Sequence, residues 1–380
     1  MKRKVLFLSD SLGCGGSEQS LVSLLTTLDY SKIDVDLWLR SRGGVFERYL
    51  PKEVNIVDFD PNPTSKMGYW MANKQYSVDI RTQGKKHHGA ELLWNRVGKY
   101  LSPMEKHYDV AIAFQQGFPT FYLTKVNAEK KVARVNIAME EANYNQDFCR
   151  KYYDQCDIVI SISDALKNQL LDTNYVTDKS KIKVIYNVFS VDFIRRMADD
   201  VAFSDDYKGL RIVTTGRLVA QKGYDLAVKA AAILREKGNK FRWYFVGEGE
   251  KRLELESMIV ERGLQDNITL LGMQPNPYPF MKNCDIYVQT SRFEGFGRTV
   301  TEAKICGCPI ISTNFPPVFD QLEDGRNGLI CEMNEQDIAD KVLRLINDEN
   351  LRQSLVKAVK DEQYTTSVTE SKKFMDFILN

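Results

Sequence analysis

Short runs of consecutive apolar residues alternate along the whole chain with stretches of ten or more residues that have helical spacing. Val, Ile and Leu dominate the short runs, which is typical of strands buried on both faces of a parallel sheet. The helical stretches between them supply the crossover connections that such a sheet needs. The predicted strands are residues 5–8, 35–39, 110–113, 158–162, 184–186, 210–213, 243–246, 268–271, 285–288 and 309–311.

These strands form two similar series. Near residue 5 and again near residue 211, a basic residue precedes a buried strand, which is followed by a glycine-containing loop and a helix. Between the series, the polar and acidic residues 191–206 are typical of a linker. The pattern predicts an α/β protein with two Rossmann-like domains, residues 1–190 and 207–360, and a C-terminal segment, residues 361–380. Because ligands bind beyond the carboxyl ends of parallel strands, a cleft between two such edges is the expected site.

Composition and charge exclude several classes of protein. The 380 residues are 43% hydrophobic and 27% charged, which is typical of a folded chain and not of a disordered one. A net charge of +1 argues against a nucleic-acid-binding protein that works by bulk charge. No apolar run is long enough to span a bilayer, and the run after Lys4 is too short for a signal peptide.

The cysteines and histidines do not predict a metal site. Seven cysteines contain no CxxC pair, and the chain has only three histidines. A zinc site or a disulfide framework is therefore not expected, and the thiols are predicted to be reduced, in a cytoplasmic protein. Two DxD segments, at residues 34–36 and 58–60, resemble a metal-binding signature, but alternation of an acid with an apolar residue is also typical of a half-exposed strand end.

Two glycine loops follow predicted strands, and neither completes a known nucleotide fingerprint. In the first loop the third glycine of GxGxxG is replaced by Glu18, and in the loop after Gly247 it is replaced by Arg252. The backbone amides of Gly15 and Gly16, which open a predicted helix, can still approach a ligand closely. A tight structural turn between strand and helix is the alternative interpretation.

The most informative stretch is residues 291–303, which follows a predicted strand and ends in a helix that continues to Cys306. It places Glu294 before the helix and Glu302 within it, with Gly295 and Gly297 at the helix N-terminus. Two carboxylates suit sugar hydroxyls, and bare amides at a helix N-terminus suit phosphate oxygens. The alternative interpretation is that Glu294 only complements the helix dipole and that Glu302 is a solvated charge on the helix surface.

This stretch resembles the E-x7-E motif of retaining glycosyltransferases with the GT-B fold, in particular glycosyltransferase family 4. Further segments resemble other motifs of that family, so the resemblance covers nearly the whole chain and is most specific in its second half. These segments are Gly216-Arg217-Leu218 with Lys222-Gly223, residues 246–249, residues 307–311, residues 324–328 and, in the first half, Gly15-Gly16-Ser17-Glu18.

The resemblance implies a role for each matching residue. Arg217 and Lys222 would hold the donor pyrophosphate, Glu302 the nucleotide ribose and Glu294 the transferred sugar. The amides of residues 296–298 would receive the distal phosphate, since fixed cations and amides stabilise the charge that develops on a departing nucleotide diphosphate. The remaining donor-binding residues that are expected are Gly216, Gly247, Gly295, Phe296, Gly297, Arg298 and Thr299. No metal or other cofactor is expected. The resemblance also implies a GT-B fold in which a C-terminal helix, residues 361–380, crosses back to the first domain.

The chain departs from the family pattern where many members have an acceptor-domain histidine. Gln115 or Gln116 stands at one such position and Asn136 at another. Gln116 and Asn136 can donate and accept hydrogen bonds but cannot take a proton near neutral pH, so a histidine base is in doubt. A front-face mechanism, in which a leaving phosphate oxygen takes the acceptor proton, needs no protein base.

These expectations lead to one function with rivals. The chain is predicted to move a sugar from a nucleotide-sugar, expected to be UDP-linked, to a glycan or lipid-linked glycan that lies against residues 1–190. The rivals are a nucleotide-sugar hydrolase or epimerase and a non-catalytic nucleotide-sugar-binding subunit. Aromatic and basic side chains alternate in residues 85–106. This pattern predicts one of two things: contact with the anionic inner face of the cell membrane, or a helix that packs on the first sheet with its basic side solvated.

Overall fold

The chain divides into two compact units in a computed structural model. Unit 1 contains residues 1–190 and 365–380, and unit 2 contains residues 191–364. The structure describes residues 2–13, 15–61, 63–84, 86–140, 142–294, 296–362 and 365–380. Each unit has its own parallel sheet and hydrophobic core, and each is described separately.

Unit 1 is built on a seven-stranded parallel sheet in the order β3-β2-β1-β4-β5-β6-β7. Fully buried side chains line its strands because helices cover both faces. The strands are β1 Arg3–Ser9, β2 Ile33–Leu39, β3 Val54–Asp58, β4 Met104–Ala113, β5 Val126–Val135, β6 Ile158–Ser161 and β7 Ile182–Val184. The first helices are α1 Gly16–Leu25, α2 Lys66–Gln83, α3 Gly89–Val97, α4 Phe118–Tyr122, α5 Gln146–Tyr153 and α6 Asp164–Asp172.

Unit 2 repeats this architecture with six parallel strands in the order β10-β9-β8-β11-β12-β13. Its strands are β8 Leu210–Thr215, β9 Phe241–Val246, β10 Ile268–Gly272, β11 Ile286–Gln289, β12 Ile310–Thr313 and β13 Leu329–Cys331. Its helices are α7 Val191–Ala198, α8 Tyr224–Glu236, α9 Arg252–Glu261, α10 Tyr278–Lys282, α11 Arg298–Cys306, α12 Glu335–Asn347 and α13 Glu349–Asp361.

The strand order reverses at one place in each sheet, between β1 and β4 in unit 1 and between β8 and β11 in unit 2. At such a point the loops that follow the two central strands diverge to opposite faces and leave a crevice. Each unit is therefore Rossmann-like, which confirms the α/β fold class expected from the sequence. The loops after β1, β4, β8 and β11 line these crevices and are therefore the places where a ligand is expected.

The C-terminal helix α14, Thr365–Leu379, belongs to unit 1. The Phe374 ring stacks on Phe7 of β1 with centroids 6.1 Å apart. Glu370 accepts a hydrogen bond from the Tyr186 amide at 3.0 Å, and Ser371 donates to Thr27 at 2.8 Å. The chain thus returns to its first unit, as the family resemblance implies.

Several details differ from the sequence expectations. The strand expected at residues 184–186 lies at Ile182–Val184, because the Tyr186 amide bonds the α14 carboxylate and not a neighbouring strand. Residues 191–206, expected as a linker, begin with helix α7, whose Phe193, Ile194 and Met197 are buried in unit 2. Among the described residues, no helix is long and apolar enough to cross a membrane.

Candidate functional site

The loops after β8 and β9 meet backbone to backbone. Gly216 and Gly247 have φ angles of 146° and 154°, and a Cβ on Gly247 would collide with the Gly216 carbonyl. The Gly216 amide donates to the Val246 carbonyl at 3.0 Å, and the Leu218 amide donates to the Glu248 carbonyl at 2.8 Å. Only glycine permits this approach. The two loops therefore fix the backbone of Arg217, whose side chain is exposed.

Lys222 closes a short 3-10 turn, Ala220–Lys222, and precedes Gly223, which is left-handed with φ 63°. A Cβ on Gly223 would collide with the carbonyl oxygen of Thr290, so the loops after β8 and β11 also touch through backbone. This contact brings Lys222 Nζ to within 2.5 Å of Glu294 Oε1, although 72 residues separate them in the chain. Both side chains are largely buried, with 14% and 9% exposed.

Three donors surround one oxygen of Glu294. Besides Lys222, Gln289 Nε2 donates to Oε1 at 3.0 Å and Ser291 Oγ donates to it at 2.6 Å. A buried carboxylate needs both a counter-ion and hydrogen bonds, and this one has both. The Glu294 side chain is consequently held in one orientation at the end of β11.

The N-terminus of α11 lies immediately after Glu294. Gly297 is its N-cap residue, with φ 79°, and a Cβ there would press on the Phe315 ring. Thr299 Oγ1 in the first turn donates to Gln289 Oε1 at 3.0 Å, which ties the helix to β11. The first amides of a helix have no partner within the helix, so this end suits an anion. Phe296 is exposed, and Gly295 lies outside the described residues.

Glu302 is placed differently from Glu294. Glu302 lies within α11, and its carboxylate is buried. Its Oε1 accepts hydrogen bonds from Arg298 Nε at 2.7 Å and from the Tyr278 hydroxyl at 3.1 Å. Burial disfavours the charged Arg298 guanidinium, but Glu302 and Tyr278 together outweigh this effect and raise the pKa of Arg298. Burial, reinforced by Glu302, raises the pKa of Tyr278. The structure thus separates Glu302 from the Lys222–Glu294 pair by giving it its own partners.

In unit 1, Gly15 and Gly16 lie at the start of α1, with Gly15 as N-cap residue. A Cβ on Gly15 would collide with the Glu18 carboxylate, whereas a Cβ on Gly16 would meet no atom within 4 Å. Because the Glu18 carboxylate ends a flexible side chain that can move, and neither glycine has a positive φ, the turn does not require glycine at these positions, and Gly16 leaves open space beside the helix N-terminus.

Gln116 and Asn136 join the loops after β4 and β5. Gln116 Oε1 accepts from the amides of Asn136 and Ile137 at 2.7 and 3.0 Å, and Asn136 Nδ2 donates to the Phe114 carbonyl at 2.8 Å. Gln115 has a similar role, since its Oε1 accepts from Ser9 Oγ and the Asp10 amide. The structure brings these amides together at the crevice of the first sheet, as neutral hydrogen-bonding groups.

Sequence reasoning missed a histidine near this crevice. His88 caps α3 through Nδ1, and its ring stacks on Tyr144 with centroids 3.8 Å apart. A Cβ on Gly117, the residue after Gln116, would lie 2.9 Å from the Tyr144 hydroxyl. Burial lowers the pKa of His88, which favours the neutral imidazole. The only sequence signal is the aromatic and basic character of residues 85–106, which the folded chain uses mainly for packing.

The remaining candidate residues have structural partners. In the DxD segments, Asp34 and Asp58 pair with Lys2 and Arg42, and Asp36 accepts from Lys106 and Tyr108. Within the described part of the chain, one exposed group of three metal-ligand side chains occurs, on β4 and β5: His107, Asp109 and Glu129. In the segment of residues 85–106, Leu92 and Trp94 are buried and Arg96 pairs with Asp79 at 2.6 Å, while Lys85 lies outside the described residues.

Residues 202–362 match the family model described as "Glycosyl transferases group 1". This match covers the whole of the Arg217, Lys222 and Glu294 site. The match lies entirely within unit 2, which contains residues 191–364.

Relatives match more of the chain. An uncharacterized glycosyltransferase of Methanocaldococcus jannaschii is 26% identical over 53% of this chain, and the chain spans 58% of that relative's length. The N-acetylgalactosamine-N,N'-diacetylbacillosaminyl-diphospho-undecaprenol 4-alpha-N-acetylgalactosaminyltransferase of Campylobacter jejuni is 28% identical, with 90% of both chains covered. The chain is therefore similar to glycosyltransferases in both of its units.

Among solved structures, Anabaena Alr3699/HepE in complex with UDP and glucose superposes with a TM-score of 0.68. The sequence identity is 19%, and all of both chains is covered. At this identity the likeness concerns the fold, which is GT-B.

Proposed function

We propose that the chain is a retaining, metal-independent glycosyltransferase that moves a sugar from a UDP-sugar to a glycan or lipid-linked glycan, as in bacterial polysaccharide or glycolipid synthesis. The observation that carries this proposal is the contact of Lys222 with Glu294 between the crevice loops after β8 and β11, with Arg217 on the first of these loops. The UDP bound in the Anabaena structure and the lipid-diphosphate substrate in the name of the Campylobacter relative support the choice of donor and acceptor.

The donor would be held mainly by its charge. Breaking the sugar–phosphate bond leaves an extra negative charge on the nucleotide diphosphate, and Arg217, Lys222 and the first amides of α11 would stabilise it. Lys222 is already paired with Glu294, so the diphosphate would share this cation and align it with the sugar that Glu294 holds. Glu302 would bind the ribose after Arg298 moves from its carboxylate.

The acceptor would lie on unit 1, against Gly15, Gly16, Gln116 and Asn136. These groups can orient hydroxyls but cannot remove a proton near neutral pH. A leaving phosphate oxygen would therefore take the acceptor proton while the acceptor oxygen bonds to the anomeric carbon on the same face of the sugar from which the diphosphate departs. Bond formation and bond breaking on one face retain the anomeric configuration. The proposed location is the cytoplasm, at the inner face of the membrane, where nucleotide sugars meet lipid-linked acceptors.

A screen of nucleotide sugars for thermal stabilisation tests the donor assignment. A donor at 100 times its Kd should stabilise the protein by about 2.7 kcal/mol, and the Arg217→Ala variant should respond less at the same concentration. Incubation of the stabilising donor with candidate acceptors, followed by NMR of the product, then reports transfer and anomeric configuration. Hydrolysis or epimerisation without an acceptor would favour the rival enzymes, and binding without turnover would favour the non-catalytic subunit.

A further inference from the structure

Helix α2 packs into unit 1 by one face only. Ala72 and Asp79 are buried on that face, where Asp79 accepts two hydrogen bonds from Arg96 of α3. Gly68 lies against the Tyr100 ring. At 100° per residue these positions share the side of the helix that faces α3. The opposite side of α2 is therefore turned away from the core of its unit.

That opposite side exposes four large apolar side chains. Met67 is 67% exposed, Trp70 53%, Met71 59% and Val78 52%. Their spacing places them within an arc of about 100° on the helix surface. A contiguous apolar patch of this kind marks an interaction site more often than isolated exposed residues do.

The same side is positively charged. Lys66, Lys74 and Arg81 are exposed, and no ion pair involves them among the residues that the structure describes. Lys74 Nζ lies 3.8 Å from the centre of the Trp70 ring. The single acid of α2, Asp79, is on the buried side and already paired. The exposed face thus combines apolar side chains with interspersed cations and has no carboxylate.

We propose that this face of α2 lies on an anionic lipid surface. Met67, Trp70, Met71 and Val78 would enter the boundary between headgroups and acyl chains, and the three cations would contact lipid phosphates. A nucleic acid would match the cations but not the methionines. The proposal places the contact on α2, whose apolar face is exposed, and not on the buried apolar side chains of α3. It does not depend on the proposed transfer reaction.

Tryptophan fluorescence tests the proposal directly. The chain has four tryptophans, and Trp38, Trp94 and Trp243 are at most 6% exposed, so a change in polarity at the surface reports on Trp70. Vesicles containing phosphatidylglycerol should shift the emission to the blue, and brominated acyl chains should quench it. Trp70→Phe should remove both signals. An unchanged wild-type emission spectrum with anionic vesicles would overturn the proposal.

Co-sedimentation with the same vesicles tests the cations. Each cation near the surface contributes about fivefold, so Lys66→Glu/Lys74→Glu/Arg81→Glu should weaken binding roughly 100-fold or more. The matched control Lys183→Glu/Lys208→Glu/Lys357→Glu changes the net charge equally at other exposed lysines and should bind like the wild type. Thermal stabilisation by the nucleotide sugar should be the same in all variants, which separates this test from the donor site.

Two further measurements test whether lipid or a second copy of the chain covers the exposed face of α2. Met67→Ser/Met71→Ser should weaken vesicle binding even in high salt, where charge attraction is screened. Equal sedimentation of the triple charge variant and the wild type would overturn the proposal. So would a wild-type dimer in light scattering that the methionine variant converts to a monomer, because a second copy would then cover the face.

Discussion

The crevices of the two sheets differ in chemistry although the strand order is the same. In unit 2 the loops after the central strands hold an ion pair, Lys222–Glu294, and an exposed Arg217. In unit 1 the corresponding loops hold the neutral amides Gln115 and Gln116, and the one carboxylate that directly follows β1, Asp10, is paired with Arg40 at 2.6 Å. The unit 2 edge therefore offers cations to a partner on which charge develops, whereas the unit 1 edge offers mainly neutral groups that suit hydroxyls. Loop residues, and not the sheet, decide which chemistry a Rossmann-like unit performs.

The backbone of the crevice loops also differs between the two units. Around the unit 2 crevice, Gly216, Gly223, Gly247 and Gly297 all have positive φ, and a Cβ on any of the last three would press on a neighbouring atom. Of the unit 1 crevice glycines that the structure describes, Gly117 has positive φ, at 94°, whereas Gly15 and Gly16 do not. Close backbone contacts leave little freedom to reorganise. Such preorganisation favours the stabilisation of a charge that exists only in the transition state.

Arg217→Ala should have the largest effect, because it removes a cation from the charged crevice without disturbing a buried partner. We expect kcat to fall by roughly 10²–10³, the scale for one preorganised donor to a developing charge. Steady-state kinetics and circular dichroism would measure this. The matched control is Arg242→Ala, a cation of the same unit at the start of β9. Wild-type kcat/KM for Arg217→Ala would remove the donor site from this crevice.

Glu294→Gln should reduce kcat/KM by roughly 10–100-fold, because the amide keeps an oxygen for Gln289 and Ser291 but loses the charge that pairs with Lys222. The effect should divide between kcat and donor KM, since the sugar that Glu294 would hold is also the group that would move. Ser291→Ala is a suitable comparison, because it removes one donor and leaves the carboxylate. If both variants lower activity equally, Glu294 only supports the loop.

Glu302→Gln should raise the donor KM about tenfold, from a hydrogen bond to a charged group worth roughly 1.5–3 kcal/mol. The structure adds a second effect: Arg298 would remain buried without its counter-ion, which should lower the free energy of unfolding by roughly 3–5 kcal/mol. Kinetics and denaturant titration separate the two effects.

Tyr278→Phe is the control for Glu302, because it removes a neutral donor to the same oxygen and leaves the ion pair with Arg298. It should cost little donor affinity. If Glu302→Gln loses stability and keeps the wild-type donor KM, Glu302 has only the structural role that its contacts describe.

The fold was predictable because burial leaves a periodic trace in the sequence. The helix expected to end at Cys306 does so, and both series of strands form parallel sheets. Strand β5 was less visible, since its first half carries exposed polar residues such as Asn127 and Glu129. Periodicity reports burial, so the exposed half of a strand carries no signal.

The pairing of side chains was less predictable than the fold. Lys222 and Glu294 were both singled out, but their contact across 72 residues has no local signature. Glu302 was expected to face a ribose, and its partner Tyr278 comes from a separate short helix. The exposed face of α2 was likewise hidden, because a pattern of apolar and basic residues does not reveal which side of a helix the core takes up.

Gln116→Ala should have a smaller effect and should act on the other crevice. It removes the oxygen that accepts the amides of Asn136 and Ile137, so the loop after β5 should loosen. We expect the acceptor KM to rise about fivefold, the scale of a neutral hydrogen bond, with the donor KM unchanged. Gln116→Glu keeps the accepting oxygen and is the matched control. A change in donor KM alone would contradict the assignment of the acceptor to unit 1.

Removal of metal should have the smallest effect, and it tests whether the cations of unit 2 are sufficient. A divalent ion usually neutralises the diphosphate in glycosyltransferases of the DxD type, whereas Arg217, Lys222 and the first amides of α11 can do so here. Transfer should therefore change less than twofold in EDTA, measured with chelated protein and metal-free substrates. The control is Arg217→Ala in added Mg²⁺: if magnesium restores its rate, an ion can replace the side chain. If EDTA abolishes wild-type transfer and only Mg²⁺ or Mn²⁺ restores it, the cations of unit 2 are not sufficient, and the transfer depends on a metal.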